Sequence, residues 1–128
     1  MSTRHRYETI AALERLGIGR DDIATLLRAS ATLSTWAEHE CNGAIQRDEA
    51  TNRPAWYCTH SGKRIGWTSD RETGAVKRAQ AIAARYGLTA YHQGDPRGCA
   101  LYLVRPDDVP AGADIDGYYS RGVAVVPR

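Results

Sequence analysis

Apolar residues recur at helical spacing in two stretches near the start of the chain. The first stretch predicts a short helix over Tyr7–Leu16. The second begins with Asp21 or Asp22 as its N-cap, and its apolar stripe continues at helical spacing to about Ile45. We therefore predict two N-terminal helices, preceded by a flexible basic tail over residues 1–6.

A helix-turn-helix DNA-binding motif is the alternative for the segment Ile23–Trp36. Such a motif often has Gly at its turn and a β-branched anchor in its second helix. Here Arg28 occupies the turn position, and the spacing to the anchor is off by one. Because the run from Arg28 to Trp36 contains no helix breaker, the pattern favours one uninterrupted helix and leaves the motif open as the second interpretation.

A β-hairpin is predicted after the polar segment 46–54, which ends in Pro and is expected to be a loop. Two strands flank Ser61-Gly62, a pair typical of a two-residue turn. Strand side chains alternate, so the residues facing each other in this register share one face. The expected cross-strand pairs are Trp56 with Trp67, Cys58 with Ile65, and His60 with Lys63.

The clearest local signals belong to a central helix. Ser69 and Glu72 have the spacing of a capping box at its start. The helix is expected to reach Tyr86, and Gly87 supplies a left-handed cap at its end. Small and apolar residues at helical spacing form the predicted buried stripe: Ala75, Val76, Ala79, Ile82, Ala83 and Tyr86.

A second hairpin is predicted over Leu88–Val104, with its turn at Gly94–Gly98. Both of its faces are apolar, so its strands are expected to be inner strands covered on both sides. One face should carry Tyr91, Cys99, Leu101 and Leu103, and the other Leu88, Ala90, Tyr102 and Val104. A last strand at Val123–Val126 completes the prediction. The fold class is α+β: two N-terminal helices, a β-hairpin, a central helix and an antiparallel sheet of about five strands, in one domain over 1–128.

Composition limits the functional classes. A chain of 128 residues with 42% hydrophobic and 25% charged residues has the size and composition of one globular domain. Its 17 basic and 15 acidic residues give a net charge of +2, which is more balanced than a typical basic nucleic-acid-binding domain. No apolar run approaches the ~20 residues of a membrane helix, and no secretory signal is evident. A cytoplasmic protein with no membrane partner is expected.

Zinc binding is the first candidate chemistry. His39 lies close to Cys41, and Cys58 lies close to His60. Residues two apart on a helix point in different directions, and the chain has no CxxC pair, so the spacing of a zinc site is missing. We expect thiols and no cofactor, while metal binding by these four residues stays open.

Acid–base catalysis is the second candidate. His60, Lys63, His92 and Arg97 lie on two hairpins whose tips could adjoin, and their side chains suit proton transfer and phosphate binding. Nothing in their spacing requires this arrangement. Phosphate-binding glycine loops, nucleophile elbows and HExxH are absent. The prediction is that the protein is not an enzyme, with a small hydrolase or nuclease as the alternative.

A basic surface is the third candidate. Arg71, Arg78 and Arg85 recur every seven residues along the central helix, opposite the buried stripe, with Lys77 beside them. Such a surface can hold phosphates or an acidic partner, although a solvated helix face often carries charges without a partner. The predicted binding residues lie on this helix and on the two hairpin turns: Arg71, Lys77, Arg78, Arg85, Lys63, Arg64 and Arg97.

Four short phrases are distinctive: Asp95–Leu103, Asp70–Glu72 with Lys77-Arg78, Trp36 with Glu40-Cys41, and Tyr119–Val125. Together they resemble a group of small uncharacterised proteins encoded by tailed phages and their prophages. The resemblance carries no established activity and no catalytic residues. It implies a phage accessory protein that binds a host protein or a protein–nucleic-acid complex, and anti-CRISPR inhibitors of host defence are one kind of such protein. Direct nucleic-acid binding through the basic helix face is the alternative, and a homodimer stays open.

Overall fold

The computed structural model of this chain describes residues 3–34, 43–95, 98–108 and 122–128. Within these ranges the chain forms three α-helices and six β-strands, so the fold is α+β as predicted. The elements in chain order are α1 (Thr3–Arg15), α2 (Arg20–Thr32), β1 (Gly43–Arg47), β2 (Pro54–Cys58), β3 (Arg64–Trp67), α3 (Asp70–Arg85), β4 (Thr89–Asp95), β5 (Gly98–Val104) and β6 (Gly122–Pro127).

The strands form one antiparallel sheet in the order β3-β2-β1-β4-β5-β6. β1 therefore lies in the middle, between the hairpin β2-β3 and the hairpin β4-β5. β4 and β5 are inner strands, as predicted. Consecutive residues of β5 alternate between the two faces and are all fully buried, so both faces are covered there: Leu101, Tyr102, Leu103 and Val104.

The main core lies between the helices and one face of the sheet, which we call the helix-side face. Leu13 of α1, Leu26 of α2 and Ile82 of α3 pack in one cluster with Leu101 and Leu103 of β5. The opposite face has a smaller buried cluster, which contains Ala44, Tyr102 and Val104. The sheet thus packs the helices on one side and still buries side chains on the other.

The local signals of α3 are confirmed. The Ser69 hydroxyl accepts from the N–H of Glu72 at 3.2 Å, and the Glu72 carboxylate accepts from the N–H of Ser69 at 3.1 Å. At the other end Gly87 has φ +72°, and the N–H of Leu88 donates to the carbonyl of Ala83 at 2.9 Å. The predicted stripe is buried or half-buried along its whole length.

The first helix begins earlier than predicted. Residues 3–6, which were expected to belong to a flexible tail, are helical. Their sequence contains no Gly or Pro, so nothing local prevents the helix from extending.

The second helix is much shorter than predicted, because it ends at Thr32 and not near Ile45. The N–H of Ser34 would bond to the carbonyl of Ser30 in a continued helix, but it donates to the Glu72 carboxylate at 3.0 Å. A tertiary hydrogen bond therefore replaces the helical one, and Ile45 belongs to β1. In the second part of the alternative helix-turn-helix motif, Thr32 ends α2 and Leu33 has an extended backbone, and residues 35 and 36 lie outside the described residues.

The loop predicted over 46–54 is shorter in the structure. Gln46 and Arg47 belong to β1, and Pro54 is the first residue of β2. The pair Arg47↔Pro54 is the last of the β1–β2 ladder, and residues 48–53 connect the two strands. The polar composition predicted a loop here, but hydrogen-bonded pairing between β1 and β2 makes the ends of this segment part of two strands.

The predicted register of the first hairpin is wrong. Residues 59–63 form a longer turn than expected, and Gly62, with φ +72°, donates from its N–H to the carbonyl of Cys58 at 2.8 Å. Ala55 pairs with Trp67, and a register shift after Trp56 changes the pairing by one residue. The two tryptophans consequently lie on opposite faces, and the expected pairs Cys58 with Ile65 and His60 with Lys63 do not form.

The second hairpin is also shifted by one residue on β4. Asp95 pairs with Gly98, and residues 96 and 97 between them lie outside the described residues. Tyr91 pairs with Tyr102, and Ala90 pairs with Leu103. Because paired residues share a face, Tyr91 lies with Tyr102 and not with Leu103 as predicted.

Candidate binding surface

The exposed side of α3 carries three cations besides Arg85. Arg71, Lys77 and Arg78 are exposed, whereas Ala75 and Ala79 of the same helix are fully buried. Within the described part of the chain, none of the three cations forms an ion pair. The structure therefore brings these three predicted residues together on one helix, with their charges directed to solvent.

Arg85 has a different environment, although it continues the same seven-residue spacing. Its guanidinium bonds to the Asp22 carboxylate at 2.9 Å. The Tyr86 hydroxyl donates to the same carboxylate at 2.8 Å and accepts from the N–H of Gly19 at 3.0 Å. Arg85 and Tyr86 thus join the C-terminal end of α3 to the first turn of α2.

Of the two predicted binding cations in the first hairpin, one is exposed to solvent and the other contacts residues of the fold. Lys63 is exposed in the turn. Arg64 bonds to the Asp48 carboxylate at 3.2 Å and lies 4.3 Å from the ring centroid of Trp67, over which Arg53 also stacks at 4.1 Å. Arg64 is therefore engaged within the fold. The remaining predicted cation, at position 97, lies outside the described residues.

Asp48 organises the β1–β2 turn that carries these contacts. Its carboxylate accepts from the Thr51 hydroxyl at 2.7 Å and from the Tyr57 hydroxyl at 2.7 Å. The hydrogen bond from Thr51, then that from Tyr57, lower the pKa of Asp48 to about 2. The same contact with Asp48 raises the pKa of Tyr57. The Asp48 carboxylate is consequently bound by hydrogen-bond donors of the turn and by Arg64.

A groove of about 260 Å³ lies between α3 and the helix-side face of the sheet, beside Lys77. It has apolar and polar lining residues, but none of the described residues that line it is acidic. Residues of α3, β1 and β4 contribute most of its surface: Val76, Lys77, Gln80, Ile45, Arg47, Ala90 and His92.

Arg47 brings a further cation to this groove. It is exposed at the end of β1, and its guanidinium donates to the carbonyl and side-chain oxygen of Asn52 at 2.9 and 3.2 Å. Asn52 has φ +58°, a left-handed conformation that Asn adopts more readily than most residues. Arg47 was not among the predicted binding residues, because the polar segment 46–54 was expected to be a loop. Ala44, Ile45, Gln46 and Arg47 show no alternation of polar and apolar residues, so the sequence carries no local strand signal at Arg47.

The two candidate acid–base histidines have different environments. His60 is exposed in the turn after β2, whereas His92 is only 2% exposed. The His92 ring contacts Trp56 edge to face, with centroids 4.8 Å apart, and its Nδ1 lies 3.0 Å from the carbonyl of Ala100. The structure therefore gives His92 a packed interior position rather than a place beside His60 at a hairpin tip.

Burial lowers the pKa of His92 to about 4. The carbonyls of Ala100 and Ser34 and the charge of Glu72 act in the opposite direction but do not overcome burial. Its Nε2 makes no hydrogen bond of ordinary geometry to a described residue. His92 is thus held in the neutral form near pH 7.

Of the four candidate zinc ligands, two lie within the described residues and two lie outside them. Cys58 is a half-buried thiol at the end of β2, and His60 lies in the following turn. His39 and Cys41 lie outside the described residues. Across the described ranges, no group of three or more His, Cys, Asp and Glu residues is arranged to hold a metal ion.

None of the helices described by the structure has the length and apolar character needed to cross a membrane. Comparison with known proteins finds no matching family model, no matching curated protein and no matching solved structure.

Proposed function

We propose that the protein is a non-enzymatic binding protein that contacts its partner with the outward face of α3. The observation that carries this proposal is the exposure of Arg71, Lys77 and Arg78 on a helix whose ends and opposite side are engaged in the fold. Its caps are satisfied internally, and its opposite side is buried. These cations add nothing evident to the packing of the helix, so an acidic or phosphate-bearing partner is the best use for them.

The partner class follows from the balance of charge over the whole chain. A net charge of +2 gives weak long-range attraction to nucleic acid, whereas a local cluster of cations suits an acidic patch on a protein. A host protein or a protein–nucleic-acid complex therefore fits better than naked nucleic acid. The resemblance to phage accessory proteins favours a bacterial host cytoplasm as the location and host machinery as the target.

Capture from a bacterial lysate tests this proposal, with the full chain immobilised and with nuclease added to half of the sample. The test variant carries Arg71→Glu, Lys77→Glu and Arg78→Glu. A control variant with the same change of net charge carries Arg20→Glu, Arg28→Glu and Arg105→Glu, which are exposed cations of α2 and of the segment after β5.

The proposal predicts a partner protein that survives nuclease, that the control variant retains and that the test variant loses. Equal capture by the two variants would contradict it. Loss of the captured material after nuclease treatment, with an affinity that falls steeply as salt rises, would favour direct nucleic-acid binding instead.

Defence inhibition of the anti-CRISPR type is the narrower form of this proposal. In a bacterium with an active CRISPR system, expression of the chain should restore plaque formation by a targeted phage. Expression of the test variant should not restore it, although that variant accumulates to the same level. Full restoration of plaque formation by the test variant would show that any such activity does not depend on the outward face of α3.

A further inference from the structure

The groove between α3 and β1 combines two chemical features on one surface. Arg47 and Lys77 supply a cation from the sheet and a cation from the helix. Ile45 and Val76 are half-buried apolar side chains that belong to the same lining. A ligand that matches both features needs negative charge and an aliphatic group close together.

The charges of this groove are not cancelled by its immediate lining. None of the described lining residues is acidic. The next residue after Arg47 is Asp48, but its carboxylate is bound by Tyr57 and Arg64 within the turn. Arg47 is positioned by Asn52, which accepts its hydrogen bonds without neutralising its charge. The guanidinium is therefore preorganised and still positive, which reduces the entropy lost on binding an anion.

The apolar side chains discriminate between two classes of partner. A phosphate backbone offers charge and sugar to a groove but no aliphatic side chain to bury. A peptide segment can place an aliphatic side chain against Ile45 and Val76 and a carboxylate near Arg47 and Lys77. A cavity of roughly 150 Å³ is enough to hold benzene, so a groove of about 260 Å³ has room for such a side chain.

We infer that this groove binds an extended acidic segment of the protein partner, in which a carboxylate-bearing residue lies next to an aliphatic one. Arg47 and Lys77 bind the carboxylate, and the space between Ile45 and Val76 takes the aliphatic side chain. This inference depends on the proposed function, because it names the part of a protein partner that meets the surface of α3.

A display library of random short peptides, selected against the immobilised full chain, tests the inference. The recovered peptides should be enriched in Asp or Glu beside Leu, Ile or Val. A recovered peptide should bind roughly tenfold more weakly to the Lys77→Glu and Arg47→Gln variants, because each variant removes a charge-assisted contact. Arg28→Glu, which changes an exposed cation on α2, is the control and should preserve the affinity.

Several results would overturn the inference. Recovery of basic or neutral peptides, or no enrichment at all, would show that the groove does not select acidic segments. A loss of peptide affinity in the Arg71→Glu variant as large as that in the Lys77→Glu variant would show that the peptide binds α3 by general electrostatic attraction. Displacement of the peptide by a deoxythymidine oligonucleotide that binds more tightly would assign the groove to nucleic acid. If lysate capture still depended on α3 in any of these cases, the proposed function would survive without the groove.

Discussion

The backbone N–H of Ser34 donates a hydrogen bond to Oε2 of Glu72 at 3.0 Å, across 38 positions of sequence. The other oxygen of the same carboxylate accepts from the N–H and the hydroxyl of Ser69, both at 3.1 Å. Burial acts to raise the pKa of Glu72, but the hydrogen bonds from Ser34 and Ser69 outweigh burial and keep the pKa below its usual value. The Glu72 carboxylate therefore binds the backbone just after the end of α2 and also caps the start of α3.

Replacement of Glu72 should destabilise the fold strongly. Glu72→Ala removes a helix cap, worth about 1 kcal/mol, and leaves the part-buried N–H of Ser34 without its acceptor, which costs about 1–3 kcal/mol. Urea denaturation at pH 7 should show a loss of roughly 2–4 kcal/mol in the free energy of unfolding. Asp70→Ala, at an exposed acid of the same first turn, is the control and should cost less than about 1 kcal/mol. Equal losses in the two variants would contradict this role.

His92 should make stability depend on pH. Its pKa is lowered from 6.5 to about 4 in the folded chain, so between these pH values the unfolded chain binds a proton that the folded chain does not. The free energy of unfolding should therefore fall as pH decreases from 6.5 to about 4, by up to about 3 kcal/mol. Urea denaturation across this range measures the slope. His92→Gln should flatten it, and His60→Gln, at an exposed histidine, should not. An unchanged slope in His92→Gln would remove His92 as the cause.

Ser30 should stabilise the packing of the outer strand β6 against α2. Its hydroxyl, fully buried, donates to the carbonyl of Val126 at 2.8 Å. Ser30→Ala should lower the free energy of unfolding by about 1–2 kcal/mol, since a buried carbonyl loses its donor. Thr32→Ala removes an exposed hydrogen bond within α2 and should cost less than about 1 kcal/mol. Thermal unfolding of both variants decides the matter, and a Ser30→Ala variant as stable as Thr32→Ala would contradict the assignment.

Gly94 should tolerate no side chain. A Cβ atom at this position would lie 2.8 Å from the carbonyl oxygen of Ser34 and 3.5 Å from the ring of Trp56. Gly94→Ala should therefore destabilise the fold by about 1–3 kcal/mol through overpacking. Gly74→Ala, inside α3, is the control, because its Cβ would meet only the end of the flexible Arg78 side chain, at 3.2 Å, and Ala is favoured over Gly in a helix. Denaturation curves that shift equally for the two variants would show that the Ser34 segment moves aside at little cost.

The parts of the fold that the sequence predicted depend on neighbouring residues. The capping box of Ser69 and Glu72, the left-handed cap at Gly87 and the α+β class are all confirmed. The two caps follow from residues within a few positions of one another, whose chemistry is visible without the tertiary structure, and the class follows from the order of the predicted elements.

The predictions that failed depend on contacts between distant residues. The end of α2 is set by the bond from Ser34 to Glu72, which no local pattern reveals. The register of the first hairpin changes at an irregularity after Trp56, and a shift of one residue exchanges the two faces. Arg47 could not be placed beside Lys77 until β1 was known to lie in the middle of the sheet. The cations of α3 were predicted, but the groove beside them was not.

The affinity of the captured partner for the two charge-matched variants tests the central proposal most directly. Binding is measured with purified protein at one ionic strength, after circular dichroism has shown that both variants are folded. Reversal of Arg71, Lys77 and Arg78 should weaken binding at least about tenfold, and reversal of Arg20, Arg28 and Arg105 should leave it within about twofold. Equal weakening in both variants, or none in either, would contradict the proposal that the outward face of α3 is the binding surface.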